Sequence, residues 1–67
     1  MKTTWIGGPY HGAHGERPIS GDGRHVVEGA KGPHRYLQFL VLGHVLFCRH
    51  ESLSDGEATR LVATVKR

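Results

Sequence analysis

Apolar positions gather in one stretch of this chain, at residues 35–50. They read Tyr36-Leu37-Gln38-Phe39-Leu40-Val41-Leu42, break at Gly43-His44, and resume as Val45-Leu46-Phe47-Cys48 before Arg49-His50. Two apolar arms around a two-residue break form the pattern of a tight β-hairpin. With Gly43-His44 as the turn, Leu42 pairs with Val45, Val41 with Leu46, Leu40 with Phe47, Phe39 with Cys48, Gln38 with Arg49 and Leu37 with His50. Period-two alternation then puts Leu37, Phe39, Val41, Leu46, Cys48 and His50 on one face. The other face carries Gln38, Leu40, Leu42, Val45, Phe47 and Arg49, and the polar pair Gln38 and Arg49 supports this register. One continuous helix is the rival reading. The Tyr, Phe and Val content and the central glycine argue against it.

The flanking segments are quieter. Residues 3–6 (Thr-Thr-Trp-Ile) are β-prone, and Gly7-Gly8-Pro9 stops them. Residues 7–15 hold four glycines and read as loop. Arg17-Pro18-Ile19 suits a short edge segment. A turn at Gly21-Asp22-Gly23 leads into a strand at about residues 24–28, and Gly29 to Pro33 connect it to the hairpin. Ser54 followed by Glu57 is a capping box, with Leu53 and Ala58 as its staple. Ala58, Leu61, Val62 and Val65 then follow helical spacing over about residues 55–66, and Lys66 and Arg67 suit the negative end of the helix dipole. The expectation is one α+β domain over residues 1–67: a small antiparallel sheet of three to four strands, with one C-terminal helix packed on one face. The second sheet face is left for Trp5 and Tyr10, or for another molecule, to cover.

A chain of 67 residues is short enough for this to matter, because domains near 60 residues bury only about 60% of their unfolded surface. Cys48 is the sole cysteine, so no internal disulfide helps. The formal charge of +3, with six histidines besides, suits an acidic protein surface or a nucleic acid. No signal peptide is read at the N-terminus. The apolar run at residues 36–48 falls short of the roughly 20 residues a membrane helix needs, so a cytoplasmic protein is expected.

Several side chains invite chemistry. His11, His14, Cys48 and His50 are the residue types of a structural zinc site, although one thiol is few. Cys48 with His50, or Ser20 and Ser52 among the histidines, raise nucleophilic catalysis, which a mid-strand cysteine argues against. The glycines match neither the Walker nor the dinucleotide spacing, so no cofactor is expected and no catalytic residue is assigned. Arginines and lysines spread along the chain, with Trp5, Tyr10 and Tyr36 for stacking, suit a nucleic-acid module. Trp5, Tyr10, Arg24, Arg35 and Tyr36 also have the aromatic-plus-arginine character of a protein interface, which is the leading reading.

The opening Trp5-Ile6-Gly7-Gly8-Pro9-Tyr10-His11-Gly12 resembles the start of short bacteriophage- and prophage-encoded proteins. These open with an aromatic strand and a Gly-Gly-Pro-x-Asp-Gly turn, and His11 stands here where they carry the aspartate. The resemblance covers about ten residues and the layout beyond them. It implies a non-enzymatic accessory protein that binds a bacterial host protein, with inhibition or redirection as the outcome. The alternatives are a basic nucleic-acid-binding module, a zinc mini-domain and self-association into a homodimer.

Overall fold

The computed structural model describes residues 1–65. In chain order they form β1 (Lys2–Ile6), a 3-10 turn (Gly8–Tyr10), β2 (His14–Glu16), β3 (Arg24–Val27), β4 (His34–Leu42), β5 (Val45–His50) and α1 (Asp55–Val65). The strands make one sheet in the order β2-β1-β5-β4-β3. Every neighbouring pair is antiparallel except β1 and β5, which run parallel from Lys2↔Val45 to Ile6↔Arg49. This corrects the expected antiparallel sheet of three to four strands: five strands are present and the sheet is mixed.

The extra strand is β2, which the sequence disguises as loop. His14-Gly15-Glu16 has little strand propensity of its own, and is extended because Lys2, Thr3 and Thr4 of β1 supply its ladder. The parallel pairing places β1 inside the sheet, between β2 and the central strand β5. Trp5 and Ile6 on adjacent positions therefore bury on opposite faces. Arg17-Pro18-Ile19, expected to be a short edge segment, belongs to no strand.

Near the turn the hairpin has the predicted register, Leu42↔Val45, Val41↔Leu46 and Leu40↔Phe47. Gly43 has φ 60 and His44 a negative φ, as in a II′ turn whose twist matches the strands. Beyond Leu40 the register slips. Gln38 pairs with Cys48, Leu37 with Arg49 and Tyr36 with His50, leaving Phe39 as the extra residue of a β-bulge. One extra residue inverts the parity of everything before it. Tyr36 and Gln38, not Leu37 and Phe39, therefore share a face with Cys48 and His50. The inversion swings Tyr36 inward to a ring–ring distance of 5.4 Å from Trp5. It also sends Phe39 to the helix side.

Both faces of the curled sheet carry a buried cluster. Ile6, Phe47 and Val62 form one, with Phe39, Leu42, Val45, Leu53, Leu61 and Val65 packed around them beneath α1. Trp5, Val27, Tyr36, Leu46 and Cys48 form the other, with Tyr10 of the connecting loop against it. The second face is thus filled by the chain's own residues. Burial of each large aliphatic or aromatic side chain here is worth roughly 1.5–3 kcal/mol.

The helix begins with a reciprocal cap. The Glu57 amide donates to Ser54 Oγ at 3.2 Å, and the Ser54 amide donates to Glu57 Oε1 at 3.2 Å. Ala58 and Val62 are its buried residues. The predicted dipole role of Lys66 and Arg67 lies outside the described residues. Among the described residues no helix is long and apolar enough to cross a membrane.

Candidate functional site

The Gly7-Gly8-Pro9-Tyr10 segment is the tightest joint in the molecule. Both glycines have left-handed backbones, φ 76 and φ 64. A Cβ at Gly7 would collide with Leu53, and one at Gly8 with the His50 ring and the Tyr36 hydroxyl. The backbone therefore lies directly on those side chains. Tyr36 closes the joint: its hydroxyl donates to the Gly7 carbonyl at 2.7 Å and accepts from the Tyr10 amide at 3.2 Å. The Tyr10 hydroxyl in turn donates to the Gly32 carbonyl at 2.5 Å and accepts from the Lys31 amide. Trp5, 3% exposed, lies against Tyr36 and His25, with the Arg17 guanidinium 5.4 Å from its ring centre.

Of the five residues predicted to meet a partner, Trp5, Tyr10 and Tyr36 are thus engaged inside the fold. Trp5 and Tyr36 present almost no surface. Arg24 and Arg35 are exposed, and β3 and β4 bring them together. His25, Val27 and Tyr36 face the inner cluster, so Arg24, Val26, Arg35 and Leu37 share the opposite face. The ladder sets Arg24 opposite Leu37 and Val26 opposite Arg35. This is the same side of the sheet as α1, but the helix packs over Ile6 of β1 and Phe47 of β5. Val26 consequently remains 49% exposed. Beside it lies a hollow of about 180 Å³ lined by Val26, Pro33, His34, Arg35 and Glu51. Arg35 approaches Glu51 at 3.9 Å with over half of its side chain in solvent, a pair of little energetic weight.

Sequence reasoning does not single out Val26 and Leu37. The available signal is the alternation of Arg24 and Val26 with the inward His25 and Val27. Arg17, counted from the sequence only among the scattered basic residues and in an expected edge segment, donates to the Val26 carbonyl at 3.0 Å, capping the outer edge of β3, while lying over Trp5.

The four residues of the zinc reading go to separate places. Cys48 is fully buried in the inner cluster, and burial pushes its thiol up to about 11. His11 Nδ1 accepts from the Gly7 amide at 2.8 Å, and His14 Nδ1 lies 3.1 Å from Thr4 Oγ1. His50 bonds Ser52 and His34. Among the described residues no three His, Cys, Asp or Glu side chains converge as metal ligands.

Ser52, His50 and His34 do form a hydrogen-bonded chain. Ser52 Oγ is 2.7 Å from His50 Nδ1, and His50 Nε2 is 3.0 Å from His34 Nδ1. The Ser52 amide also donates to His50 Nδ1, which assigns the ring proton to Nε2. A nucleophile needs in addition donors for a developing oxyanion. The neighbouring amides are already engaged: Ser52 to His50, Leu53 to the His50 carbonyl, and Ser54 to Glu57. The chain holds the turn between β5 and α1. Compared with protein-family models, curated proteins and solved structures, the sequence and fold match none.

Proposed function

We propose that this is a small accessory protein of phage type that binds a bacterial host protein in the host cytoplasm. It acts by occupying its partner's surface, with inhibition or redirection as the result. The observation that carries the reading is the β3–β4 patch, where Arg24 and Arg35 alternate with Val26 and Leu37 on the part of the face that α1 leaves open. Arginine is enriched at interface centres, and Val26 and Leu37 supply apolar area beside it. A standard interface takes roughly 800 Å² from each partner, and the chain exposes 4212 Å². The patch with its rim at Pro33, His34 and Glu51 is a reasonable centre for such a footprint. The phage context rests on the resemblance of the opening residues.

The nucleic-acid reading draws less support, because Trp5 and Tyr36, named for stacking on bases, lie in the core, and Tyr10 is tied at its hydroxyl. The test is capture from bacterial lysate on immobilised wild-type protein and on the Arg24→Glu/Arg35→Glu variant. Circular dichroism checks that both are folded. The proposal expects a protein retained by the wild type and lost by the variant. Retention of the same proteins by both, or of none by either, would refute it.

A further inference from the structure

We infer that the free edge of β4 near the hairpin tip is a self-association site, where two copies of this chain pair antiparallel about a two-fold axis at Val41. The inference is independent of the β3–β4 patch, which lies on a face and not on an edge.

A sheet edge is a row of unpaired amides and carbonyls, and native proteins protect such edges. Two edges here are guarded. β2 is only three residues long and ends in Glu16. On β3 the Arg17 guanidinium occupies the Val26 carbonyl. β4 differs, because it outruns its neighbour. β3 pairs with residues 34–37, the Gln38 amide donates to the Gly23 carbonyl, and no described residue continues the ladder beyond that point.

The bulge decides which backbone groups that edge offers. Gln38 points its amide outward, to Gly23. With one extra residue at Phe39, the alternation places Val41 outward next. Val41 accordingly presents both its N–H and its C=O to solvent. The side chains at this edge are apolar: Leu40 is 37% and Val41 46% exposed. Ile19, 60% exposed, precedes Ser20, which is bonded to Gln38 through its amide and its carbonyl. Residues 37–48 contain no Lys, Arg, Asp or Glu to deter pairing.

A second copy fits this edge better than an unrelated strand, because the segment is self-complementary. Pairing centred on Val41 sets Val41 against its own copy, and Leu40 against Leu42. Both contacts repeat across the axis, as an isologous interface requires.

Sedimentation velocity over a concentration series tests the inference, with Val41→Lys beside the wild type. The expected result is a concentration-dependent dimer whose affinity falls at least tenfold in the variant. A wild type that stays monomeric at several hundred micromolar would overturn the inference, as would a variant that dimerises equally well. Amide exchange of the wild type probes the same pairing without a variant. The Val41 amide should be protected at high concentration and lose protection on dilution, whereas exchange independent of concentration would refute the pairing.

Discussion

Removing one oxygen, by Tyr36→Phe, probes the joint on which the inner half of the fold depends. The Tyr36 ring is fully buried, and its hydroxyl serves the Gly7 carbonyl and the Tyr10 amide together. Phenylalanine keeps the packing against Trp5 and His50. It leaves one acceptor and one donor without a partner. Leaving a buried polar group unsatisfied costs about 1–3 kcal/mol. Gly7 is buried and Tyr10 half-buried, so water reaches the Tyr10 amide more readily than the Gly7 carbonyl. The expected loss is therefore about 2 kcal/mol, dominated by the Gly7 carbonyl. At 0.05–0.15 kcal/mol per residue the whole domain holds only about 3–10 kcal/mol, so the loss is a large fraction of it. For a domain of this size the midpoint should fall by roughly 8–16 °C. Thermal and urea unfolding, followed by circular dichroism and Trp5 fluorescence, measure it. A loss below about 0.5 kcal/mol, smaller than a typical net hydrogen bond, would show that the Gly7–Tyr10 segment does not rely on Tyr36.

Other outcomes follow from the same geometry. Gly12→Ala, at φ 83 with nothing nearby, should cost about 1–2 kcal/mol through backbone conformation alone. Gly8→Ala should cost at least twice as much in the same urea assay, because its Cβ meets His50 and Tyr36 as well. Cys48 should resist a thiol reagent at pH 8 in the native state and react fully in denaturant. Its thiol ionises from 9.0 in the unfolded chain but only near 11 in the folded one, owing to burial. Its contribution is therefore fully present below pH 9.0 and lost as pH rises through about 11. It should appear as up to about 3 kcal/mol of alkaline destabilisation absent from Cys48→Ala. Ser54→Ala should lower stability by about 1 kcal/mol through loss of the helix cap. The Glu57 carboxyl is held below its ordinary value by the Ser54 amide and hydroxyl. The helix content it supports should persist above 4.5 and fade as pH drops through the depressed value.

The elements that could be read from the sequence are those whose determinants are local. Gly43 between two apolar arms and Ser54 three residues before Glu57 each specify structure within a few positions, and a II′ turn and a reciprocal cap stand there. What escaped depends on partners far along the chain. His14-Gly15-Glu16 is a strand only because Lys2–Thr4 lie beside it, and the parallel match of β1 to β5 leaves no periodic trace. The bulge at Phe39 is likewise invisible in a run where every residue from 39 to 42 is apolar. Its single inserted position moved Tyr36 from the surface to the core. That exchange explains the candidate site. Arg24 and Arg35 stay outside, as charge demands, whereas Trp5 and Tyr36 were drawn in because so short a chain needs its largest side chains as filling.

The placement of β1 has a consequence for how this chain comes into being. Its strand is made first, yet its parallel neighbour spans residues 45–49, so the pairing bridges about forty positions. Until β5 exists, Trp5 and Ile6 can bury against little beyond the flimsy β2 turn, and neither cluster can condense. Loop closure over such a span precedes its reward, which slows folding relative to proteins built from near neighbours. Clipping the peptide ahead of Gly7 would not trim a border; it would draw a slat from between β2 and β5, leave β2 without a neighbour and take Trp5 and Ile6 out of the two clusters.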